Sequence, residues 1–422
     1  MRVLYILPHY SQSAMGNRIH AELIEEWRNH DVDTEVLSFS ASLRRPTRTF
    51  EEGIVVHRLP ASGSLPAKIA NTLTARIFPY PYLASFIIGF GRFFAEHTYD
   101  LCHIETAFPL AWAAVLAGKR VPPLALTLPG ADVMAEPEFD YGYARFRSVR
   151  AILPIVFRRA LVIRADSPQI REAAIALGAA PDKVKVIPYN ITNSSFPPVG
   201  EDLDALRARS RAALVARYHL DPRRPIVVGL NRLHPFKGMA YLVEAVPTVR
   251  AAGIEPQVLI VGPNRATPRF GDYGAFLSRR AAELGLSNHV LLTGGVPHTE
   301  VLTHLAGADA AVVPSVAEAF SRVVIEACAV GTPPVVTRTT GASAYVAAAR
   351  AGVVVEPRSG PAIGAALVEL LGDPVSWREY STRAVTLALA FSSARIAADL
   401  IDLYRAAMAS RQPLASLAAQ DR

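Results

Sequence analysis

The chain is poor in cysteine and has no long apolar run. Cys102 and Cys328 are its only cysteines among 422 residues. Their number and distance in sequence exclude a disulfide framework and argue against a metal site, so we expect both to be buried small apolar side chains in a reducing cytoplasm. The longest apolar candidate, Tyr82 to Gly91, is too short to cross a bilayer. The first run, Arg2 to Leu7, predicts a strand, because it lacks the length and the cleavage site of a signal peptide.

The net charge of the chain is +7. A charge of this size is compatible with phosphorylated ligands, an anionic membrane surface or nucleic acid, so it selects no single partner. The sequence contains no aromatic–basic nucleic-acid motif, and we expect no nucleic-acid partner. With 422 residues, of which 51% are apolar, the chain is too long for one ordinary core and indicates two domains.

Short apolar runs alternate with helical patterns along most of the chain, which is the rhythm of parallel α/β sheets. We therefore predict two Rossmann-like, doubly wound α/β domains that face each other across a cleft. The predicted parts are a first domain over 1–195, a linker with a charged helix over 196–222, a second domain over 223–390, a C-terminal helix over 391–411 and a tail over 412–422. A return of the C-terminal helix to the first domain is one option.

The segment from Pro314 to Gly331 is the most informative part of the sequence. The apolar run before it predicts a buried strand, Ser321 is a candidate N-cap, and Val323 to Val330 has an apolar helical pattern. The segment therefore predicts a strand, a loop and a helix of a βαβ unit.

Glu318 and Glu326 lie eight positions apart in this segment. Glu318 is predicted in the loop at the carboxyl end of the strand, where open α/β sheets bind ligands, and Glu326 within the helix. Carboxylates accept hydrogen bonds from vicinal hydroxyls, while free amides at the helix start suit a diphosphate. The pattern favours a nucleotide-sugar site. The plainer alternative is that Glu318 complements a helix dipole and Glu326 is solvated.

Arg232 and Lys237 form a second candidate pair. Both fall between the predicted strand Ile226 to Leu230 and a helix that starts near Met239. If the two strands are neighbours, this loop lies beside that of Glu318. Arginine binds phosphate oxygens in bidentate fashion, and lysine adds a mobile charge. Taken alone, two basic loop residues are also compatible with a solvent-facing loop.

Several features recur in one order along the second half of the chain: Arg232 with Lys237-Gly238, a strand end at Gly262, Pro314-Ser315, and Glu318-x7-Glu326-Ala-x3-Gly331. Their joint occurrence resembles retaining glycosyltransferases of family 4, the glycosyl transferases group 1, which have the GT-B fold. Asp100-Leu-Cys-His103 and Phe391-Ser392 with Tyr404 also resemble family segments. The resemblance thus covers most of the chain.

The resemblance implies a role for each matching position. Arg232, Lys237 and Glu318 are the candidate catalytic residues, with the cations neutralising a diphosphate and Glu318 contacting the donor sugar. Glu326 is expected to bind the ribose hydroxyls. The other donor-binding candidates are Phe320, Ser321, Arg322, Gly16 and Gly262. The family usually has glycines where this chain has Ala319 and Ser321, a difference that reshapes the expected sugar pocket.

The main departure from the family pattern lies in Leu126-Thr-Leu-Pro-Gly-Ala-Asp132. Pro129 stands where the family usually has a histidine, and its side chain can neither donate nor accept a proton. Gly130 and Asp132 remain as acceptor-side candidates together with His103, which is either a substitute contact or a structural histidine. In retaining transfer the leaving phosphate can take the acceptor's proton, so we expect Pro129 to alter specificity or rate without abolishing activity.

The resemblance implies a retaining, metal-independent glycosyltransferase of the hexosyltransferase type. Its donor is a nucleotide diphosphate sugar, a substrate rather than a cofactor, and its acceptor a glycan or lipid-linked molecule of cell-surface glycan, lipopolysaccharide or glycolipid synthesis. The alternatives are a GT-B sugar-nucleotide epimerase and a nucleotide-sugar-binding protein that has lost catalysis. Asp31-Val-Asp33 has the spacing of a metal-binding motif, but its predicted position at the opposite end of the sheet argues against that role.

A membrane contact is a further expectation. The segment from Tyr141 to Arg164 combines arginines with apolar residues in a pattern that suits an anionic membrane, and the aromatic-rich segment from Ile77 to Phe94 is a second candidate. A core helix with an arginine-rich exposed edge explains the first pattern equally well. A membrane contact fits a cytoplasmic enzyme associated with the inner face of the membrane.

Overall fold

The chain folds into two compact units in a computed structural model that describes residues 1–11, 17–62 and 65–410. Unit 1 comprises Met1–Tyr189 and the chain from Ser393 onward, and unit 2 comprises Asn190–Ser392. Each unit is built on one sheet. The chain therefore leaves the first unit and returns to it at its C-terminal end.

Fourteen strands form the two sheets in the described residues. They are β1 Arg2–Ile6, β2 Asp33–Ser40, β3 Thr47–Glu51, β4 Ile54–Pro60, β5 Leu101–Glu105, β6 Leu124–Leu128, β7 Ala160–Ala165, β8 Val184–Val186, β9 Ile226–Leu230, β10 Gln257–Val261, β11 Val290–Gly294, β12 Ala310–Val313, β13 Pro334–Thr337 and β14 Val353–Val355. The sheet of unit 1 has the order β3-β4-β2-β1-β5-β6-β7-β8, and that of unit 2 has the order β11-β10-β9-β12-β13-β14. All pairs are parallel except β3 with β4.

Fifteen α-helices connect and cover these strands in the described part of the chain. They are α1 Arg18–Arg28, α2 Leu65–Ala75, α3 Leu83–Glu96, α4 Trp112–Ala117, α5 Arg147–Arg159, α6 Pro168–Ala176, α7 Leu203–Tyr218, α8 Met239–Ala251, α9 Tyr273–Glu283, α10 Val301–Ala306, α11 Arg322–Ala329, α12 Ser343–Ala349, α13 Gly360–Gly372, α14 Pro374–Leu389 and α15 Ser393–Ala409. No single described helix is long and apolar enough to cross a membrane, and only the consecutive pair α14 and α15 meets that test jointly, by length and composition.

The central strands are apolar on both faces because parallel sheets are covered by helices on both sides. All four residues of β12 are buried, as are all five of β10. In unit 2 the sheet packs against α8 and α13. These continuous apolar runs are the signal from which the strands were predicted, and the prediction of two parallel-sheet α/β domains is confirmed.

The core of unit 1 includes the C-terminal helix. Ile396, Leu400 and Tyr404 of α15 are at most 1% exposed and pack in one cluster with Trp27 of α1. The apolar face of α15 is therefore buried in unit 1, although unit 2 precedes it in the chain.

The structure differs from the sequence prediction in three places: the segment 196–222, the loop after β2 and the start of β2. The segment 196–222 belongs to unit 2, because Leu206 and Leu214 of α7 are buried in the core of that unit. The basic loop after β2 contains β3, an exposed edge strand whose polar residues gave no apolar signal. Asp33 begins β2 and lies 3.4 Å from the guanidinium of Arg2, while Asp31 lies in the preceding turn. Cys102 and Cys328 are buried, as expected.

Candidate functional site

The sheet of unit 2 changes direction between β9 and β12. The chain runs outward from β9 to β10 and β11, returns to pair β12 with β9, and then continues to β13 and β14 on the other side. Open parallel sheets bind ligands at the carboxyl ends of the strands at such a point. The loops that follow β9 and β12 carry the predicted donor residues, and the neighbouring strands bring these two loops together.

The two loops are in direct backbone contact. The amide of Val316 donates to the carbonyl of Phe236 at 2.8 Å. Gly238 has a φ of 70°, and a Cβ at this position would lie 1.9 Å from the carbonyl oxygen of Pro314. Only glycine therefore allows this close contact. It places the residue after Lys237, in the loop after β9, against Pro314 at the start of the loop after β12.

Gly262 has a similar steric role at the end of β10. A Cβ on Gly262 would lie 1.7 Å from the carbonyl oxygen of Asn231, the residue before Arg232. The Gly262 amide donates to the carbonyl of Gly294 at 2.9 Å. Gly262 thus allows the β9 loop to pack closely on β10, and its backbone amide is already paired within the unit.

Lys237 and Glu318 form an ion pair between the two loops. The Lys237 side chain is 9% exposed and that of Glu318 is 15% exposed. The backbone of Glu318 is held as well, since its amide donates to Thr339 at 3.3 Å and its carbonyl accepts from Gly341 at 3.1 Å. An ammonium and a carboxylate are thereby fixed side by side at the switch point.

The ring of Phe236 contacts both candidate cations. The Lys237 Nζ lies 4.7 Å from its centroid and the Arg232 guanidinium carbon 5.2 Å. Arg232 is otherwise exposed. His234, which sequence reasoning did not select, lies next to this group. Burial, then Arg232 and Lys237, lowers the pKa of His234, as expected where positive charge accumulates.

Glu326 lies on α11 and is 5% exposed. Among residues 1–11, 17–62 and 65–410, none forms a hydrogen bond or ion pair with its carboxyl group. The carboxyl groups of largely buried residues are usually paired. The position is therefore suited to a ligand that donates hydrogen bonds.

Ser321 precedes α11 at the predicted N-cap position, but it is not a side-chain cap. Its hydroxyl accepts no capping hydrogen bond, and its φ of 73° lies in the left-handed region that favours glycine. Ala319 has no positive φ. Of the two positions at which the family usually has glycine, only Ser321 adopts the conformation that glycine favours.

Phe320 and Arg322 flank Ser321. The Phe320 ring packs 6.2 Å from the ring of Tyr345 and 5.8 Å from that of Phe391, measured between centroids. Its side chain is therefore part of the core of unit 2. The backbone amides at the start of α11 have no preceding helical turn to supply carbonyl partners, although that of Val324 donates to the carbonyl of Ser321 at 3.3 Å.

His103 is a fully enclosed residue of unit 1. Its Nε2 lies 2.5 Å from the hydroxyl of Thr127, and its Nδ1 is hydrogen-bonded to the hydroxyl of Tyr404. Burial lowers the pKa of His103 to about 3. The structure thus places His103 as a neutral residue that links β5, β6 and α15, rather than as an exposed contact for an acceptor.

Asp132 and Gly130 lie in the loop after β6, close to Pro129. The amide of Ala107 donates to Asp132 Oδ2 at 2.6 Å, while Oδ1 has no hydrogen-bond partner in the described part of the chain. Burial raises the pKa of Asp132 to about 7. Asp132 is 1% exposed and therefore supports the loop from inside. Gly16 lies outside the described residues.

A buried network around Glu105 was missed by sequence reasoning. Tyr5 donates to Glu105 Oε1 at 2.6 Å, and Tyr189 donates to Oε2 at 2.5 Å. Because the Tyr5 proton is committed to Glu105, His20 Nδ1, at 2.6 Å from the same hydroxyl, carries the proton of that contact. Burial alone raises the pKa of Glu105, but His20, Arg164 and the hydrogen bond from Tyr189 hold that pKa below its ordinary value. These residues come from distant strands, so no local motif reveals them.

Two family models match the chain, one for each unit. The model described as "Glycosyl transferases group 1" matches residues 210–385, and the model described as "Glycosyl transferase 4-like domain" matches residues 15–190. A GDP-mannose-dependent alpha-(1-6)-phosphatidylinositol monomannoside mannosyltransferase of Mycolicibacterium smegmatis is 31% identical over 73% of this chain and 75% of its own length. The chain belongs to the glycosyl transferases group 1. It is a glycosyltransferase.

Other relatives and solved structures agree with this family. A D-inositol 3-phosphate glycosyltransferase of Nocardia farcinica is 34% identical to this chain, over 57% of the chain and 51% of the relative's own length. Sucrose-phosphate synthase from Thermosynechococcus elongatus has a TM-score of 0.75 at 21% identity, covering 97% of this chain and 99% of its own. HepE from Anabaena, solved with UDP and glucose, has a TM-score of 0.70 at 18% identity over 96% and 99%. The structural likeness confirms the GT-B fold of the glycosyltransferase.

Proposed function

We propose that this glycosyltransferase binds a nucleoside diphosphate sugar in unit 2 and transfers the sugar with retention of configuration. The observation that supports this proposal best is the unpaired carboxyl group of Glu326, a residue that is 5% exposed and follows the loop of Glu318, the partner of Lys237. Ribose hydroxyls supply the hydrogen-bond donors that Glu326 lacks. A carboxylate with no partner and a fixed ammonium on adjoining elements suit a ligand that is both a diol and an anion.

The roles follow from the chemistry of each group. Arg232 is exposed and can grip phosphate oxygens in bidentate fashion, while Lys237 is held at one position by Glu318. The amides at the start of α11 add the positive end of a helix dipole. Glu318, anchored through its backbone, is assigned to the donor sugar. Arg232 and Lys237 neutralise the negative charge of the diphosphate, which a divalent metal ion would otherwise do. We therefore propose that transfer is independent of metal ions.

In this mechanism the bond between the sugar C1 and the diphosphate oxygen breaks, and a bond from C1 to the acceptor oxygen forms on the same face. The acceptor proton passes to the leaving phosphate oxygen. Lys237, Arg232 and the α11 amides stabilise the negative charge that develops on that phosphate. In this mechanism no histidine at the position of Pro129 is needed for proton transfer.

The relatives suggest which substrates to test. The Mycolicibacterium and Nocardia relatives point to GDP-mannose as donor and to inositol phosphates or phosphatidylinositol mannosides as acceptors. HepE was solved with UDP-glucose. We propose an acceptor of this polyol or glycolipid class, in cell-surface glycan or glycolipid synthesis.

The test is transfer from GDP-mannose and from UDP-glucose, each with a chelator present, followed by NMR of the anomeric proton in the product. The expected product keeps the α configuration of the donor, and turnover persists in chelator. An inverted anomer contradicts retention. A sugar nucleotide with inverted stereochemistry and no transfer product identifies the epimerase alternative.

A protein that binds the donor but has lost transfer is the second candidate. Pro129 favours it, as do His103 and Asp132, which are both 1% exposed and leave no described acid or base of that loop region free. Donor binding without hydrolysis or transfer to any tested acceptor supports this candidate. Activity that appears only in Pro129→His also supports it.

A further inference from the structure

Helix α2 has its large apolar side chains on the outside. Leu65, Ile69 and Leu73 are 71%, 57% and 56% exposed, and their spacing of four places them on one face of the helix. The opposite, buried face carries only the small Ala67 and the polar Asn71. Asn71 Nδ2 donates to Ser85 Oγ at 2.8 Å, so this inner face is fixed to α3. The polarity of α2 is therefore the reverse of that of an ordinary surface helix.

The apolar face continues beyond the helix and is flanked by positive charge. Ile77, one turn past Leu73, is 64% exposed. Lys68 and Arg76 lie next to the exposed apolar side chains, and neither forms an ion pair with a described residue. Residues 35–96 carry seven basic side chains against four acidic ones. The whole region thus presents apolar and cationic groups together.

A cavity of about 460 Å³ lies on the inner side of α2, where Ala67 lines it. It is bounded by Ala67 of α2, by Gly89 and Arg92 of α3, and by Arg44 and Arg48 near β3. The three guanidinium groups have no ion-pair partner in the described part of the chain, and all three residues are exposed. Most of the cavity surface is apolar. Its geometry suits an anionic head group that is attached to an apolar chain.

Three other titratable groups, His57, Glu96 and His97, line the same cavity. His57 lies within it and is paired with Glu35 at 2.8 Å, and burial lowers the pKa of His57. Glu96 lies at its rim and is the acidic residue of the lining. The arginines outnumber this carboxylate, so the cavity keeps a positive charge.

We propose that the exposed face of α2 and the arginine-lined cavity form a docking surface for a bilayer of anionic phospholipids. Leu65, Ile69 and Leu73 enter the boundary between head groups and acyl chains, while Arg44, Arg48 and Arg92 bind head-group phosphates. A second copy of the chain is disfavoured as occupant, because a symmetric contact would bring this cationic surface against itself. The proposal does not depend on the donor site.

The location differs from the first segment that the sequence suggested and overlaps the second only in part. In α5 the apolar residues Val149, Leu153 and Val156 are fully buried, so its arginines form the exposed edge of a core helix. In α3 the aromatic residues Phe90 and Phe93 are buried as well. The second suggested segment nevertheless contributes to the docking surface, through Ile77 beyond α2 and through Gly89 and Arg92 at the cavity.

The test is sedimentation of the full chain with vesicles of phosphatidylcholine, with and without phosphatidylglycerol. We expect binding to the anionic vesicles that weakens with salt. Ile69→Ser/Leu73→Ser is expected to lower the binding constant roughly tenfold or more, since two half-inserted side chains are removed. Val375→Ser/Leu389→Ser is the matched control, because these residues of α14 are 69% and 60% exposed and lie in unit 2.

The charge component has its own pair of variants. Arg44→Gln/Arg48→Gln is expected to lower binding to anionic vesicles about 25-fold, at about fivefold per basic residue. Arg147→Gln/Arg158→Gln removes two exposed charges from α5 and is expected to bind like the unchanged protein. Glu326→Gln is also expected to bind vesicles normally, which separates this proposal from the proposed function.

Each of four results overturns the proposal. In the first three, the unchanged protein fails to bind anionic vesicles, the α5 variant loses binding while the Arg44/Arg48 variant keeps it, or the α2 and control variants bind equally. Concentration-dependent association that is lost in Ile69→Ser/Leu73→Ser, without vesicle binding, assigns the surface to a protein partner instead and likewise overturns it.

Discussion

Lys237 and Glu318 are joined by an ion pair across the two loops that follow β9 and β12, and both side chains are largely buried. Removal of one partner leaves the other charge without compensation in a poorly solvated position. We expect Lys237→Met or Glu318→Gln alone to destabilise unit 2 by about 3 kcal/mol. In the double variant the two losses should be far from additive. Chemical unfolding of the four proteins measures the coupling, and additive losses contradict the pairing.

The same pair has a predictable effect on catalysis. Because Lys237 is assigned to the charge that develops on the leaving phosphate, Lys237→Met is expected to lower kcat by about 100-fold or more. Arg280→Met is a control in unit 2, since Arg280 pairs with Glu244 at 2.9 Å on helices away from the two loops. Equal losses of kcat in both variants show that the effect is structural.

Substitutions at Gly238 and Gly253 distinguish the effect of steric contact from that of backbone conformation. Gly238→Ala introduces a Cβ 1.9 Å from the Pro314 carbonyl, so the loop that carries Lys237 must move. Gly253→Ala is the matched control, because Gly253 has a φ of 81° at the other end of α8 but open space around it. We expect a loss of about 1 kcal/mol of stability from the strained backbone in the control and several times more in Gly238→Ala. Thermal unfolding decides, and equal losses rule out the contact.

Ser321 holds a left-handed conformation that glycine adopts without strain. Ser321→Gly is expected to raise the stability of unit 2 by about 0.5–1 kcal/mol, because relief of strain exceeds the added freedom of the unfolded chain. Ala319→Gly should instead lower it by about 0.5–1 kcal/mol, since Ala319 has no positive φ. Opposite signs in thermal unfolding confirm the assignment, and equal signs contradict it.

His103 and Asp132 give unit 1 two opposing pH dependences. The pKa of His103 is about 3 against an ordinary 6.5, so its burial lowers stability progressively as the pH falls below 6.5. The pKa of Asp132 is about 7 against an ordinary 3.8, so its contribution is full below pH 3.8 and is lost as the pH rises towards 7. Between pH 3.8 and pH 6.5 the stability changes due to His103 and Asp132, each about 1.4 kcal/mol per pH unit, have opposite signs and largely cancel.

Asp132→Asn removes one of the two slopes. We expect the variant to be more stable than the unchanged protein at pH 7.5, and its stability to fall from pH 6.5 to pH 4 with the slope of His103 alone. Trp377→Phe leaves only Trp27 and Trp112 as tryptophans, so fluorescence then reports unit 1. A pH profile that Asp132→Asn leaves unchanged contradicts the buried, protonated state of Asp132 near neutral pH.

The strands could be predicted from the sequence because parallel strands are apolar on both faces. β3 could not, since all its residues face solvent or the edge of the sheet and its pairing depends on β4. The loops with Lys237 and Glu318 were identified by their residue types and spacing. The contact between these loops depends on the pairing of β9 with β12, and β10 and β11 lie between these two strands in the sequence.

Other features depend on three-dimensional packing alone. Glu105 joins Tyr5 and Tyr189, which are 100 and 84 positions away, and no local pattern predicts such a network. The outward apolar face of α2 has the same helical period as an inward one, so the sequence alone cannot distinguish them. The burial of His103 and Asp132 likewise depends on the packing of β5, β6 and α15 and could not be predicted from the local sequence.

The central claim is that Glu326 is left unpaired for a nucleotide ligand, and calorimetry with nucleoside diphosphate sugars tests it most directly. For the donor that binds best, Glu326→Gln is expected to raise Kd by about 10–100-fold, the effect of lost charge-assisted hydrogen bonds. Removal of the unpaired charge should at the same time leave the stability of the free protein unchanged or higher. Glu283→Gln, on the exposed end of α9, is the control and should bind like the unchanged protein. Normal binding by Glu326→Gln, or weaker binding that only accompanies unfolding, contradicts the account.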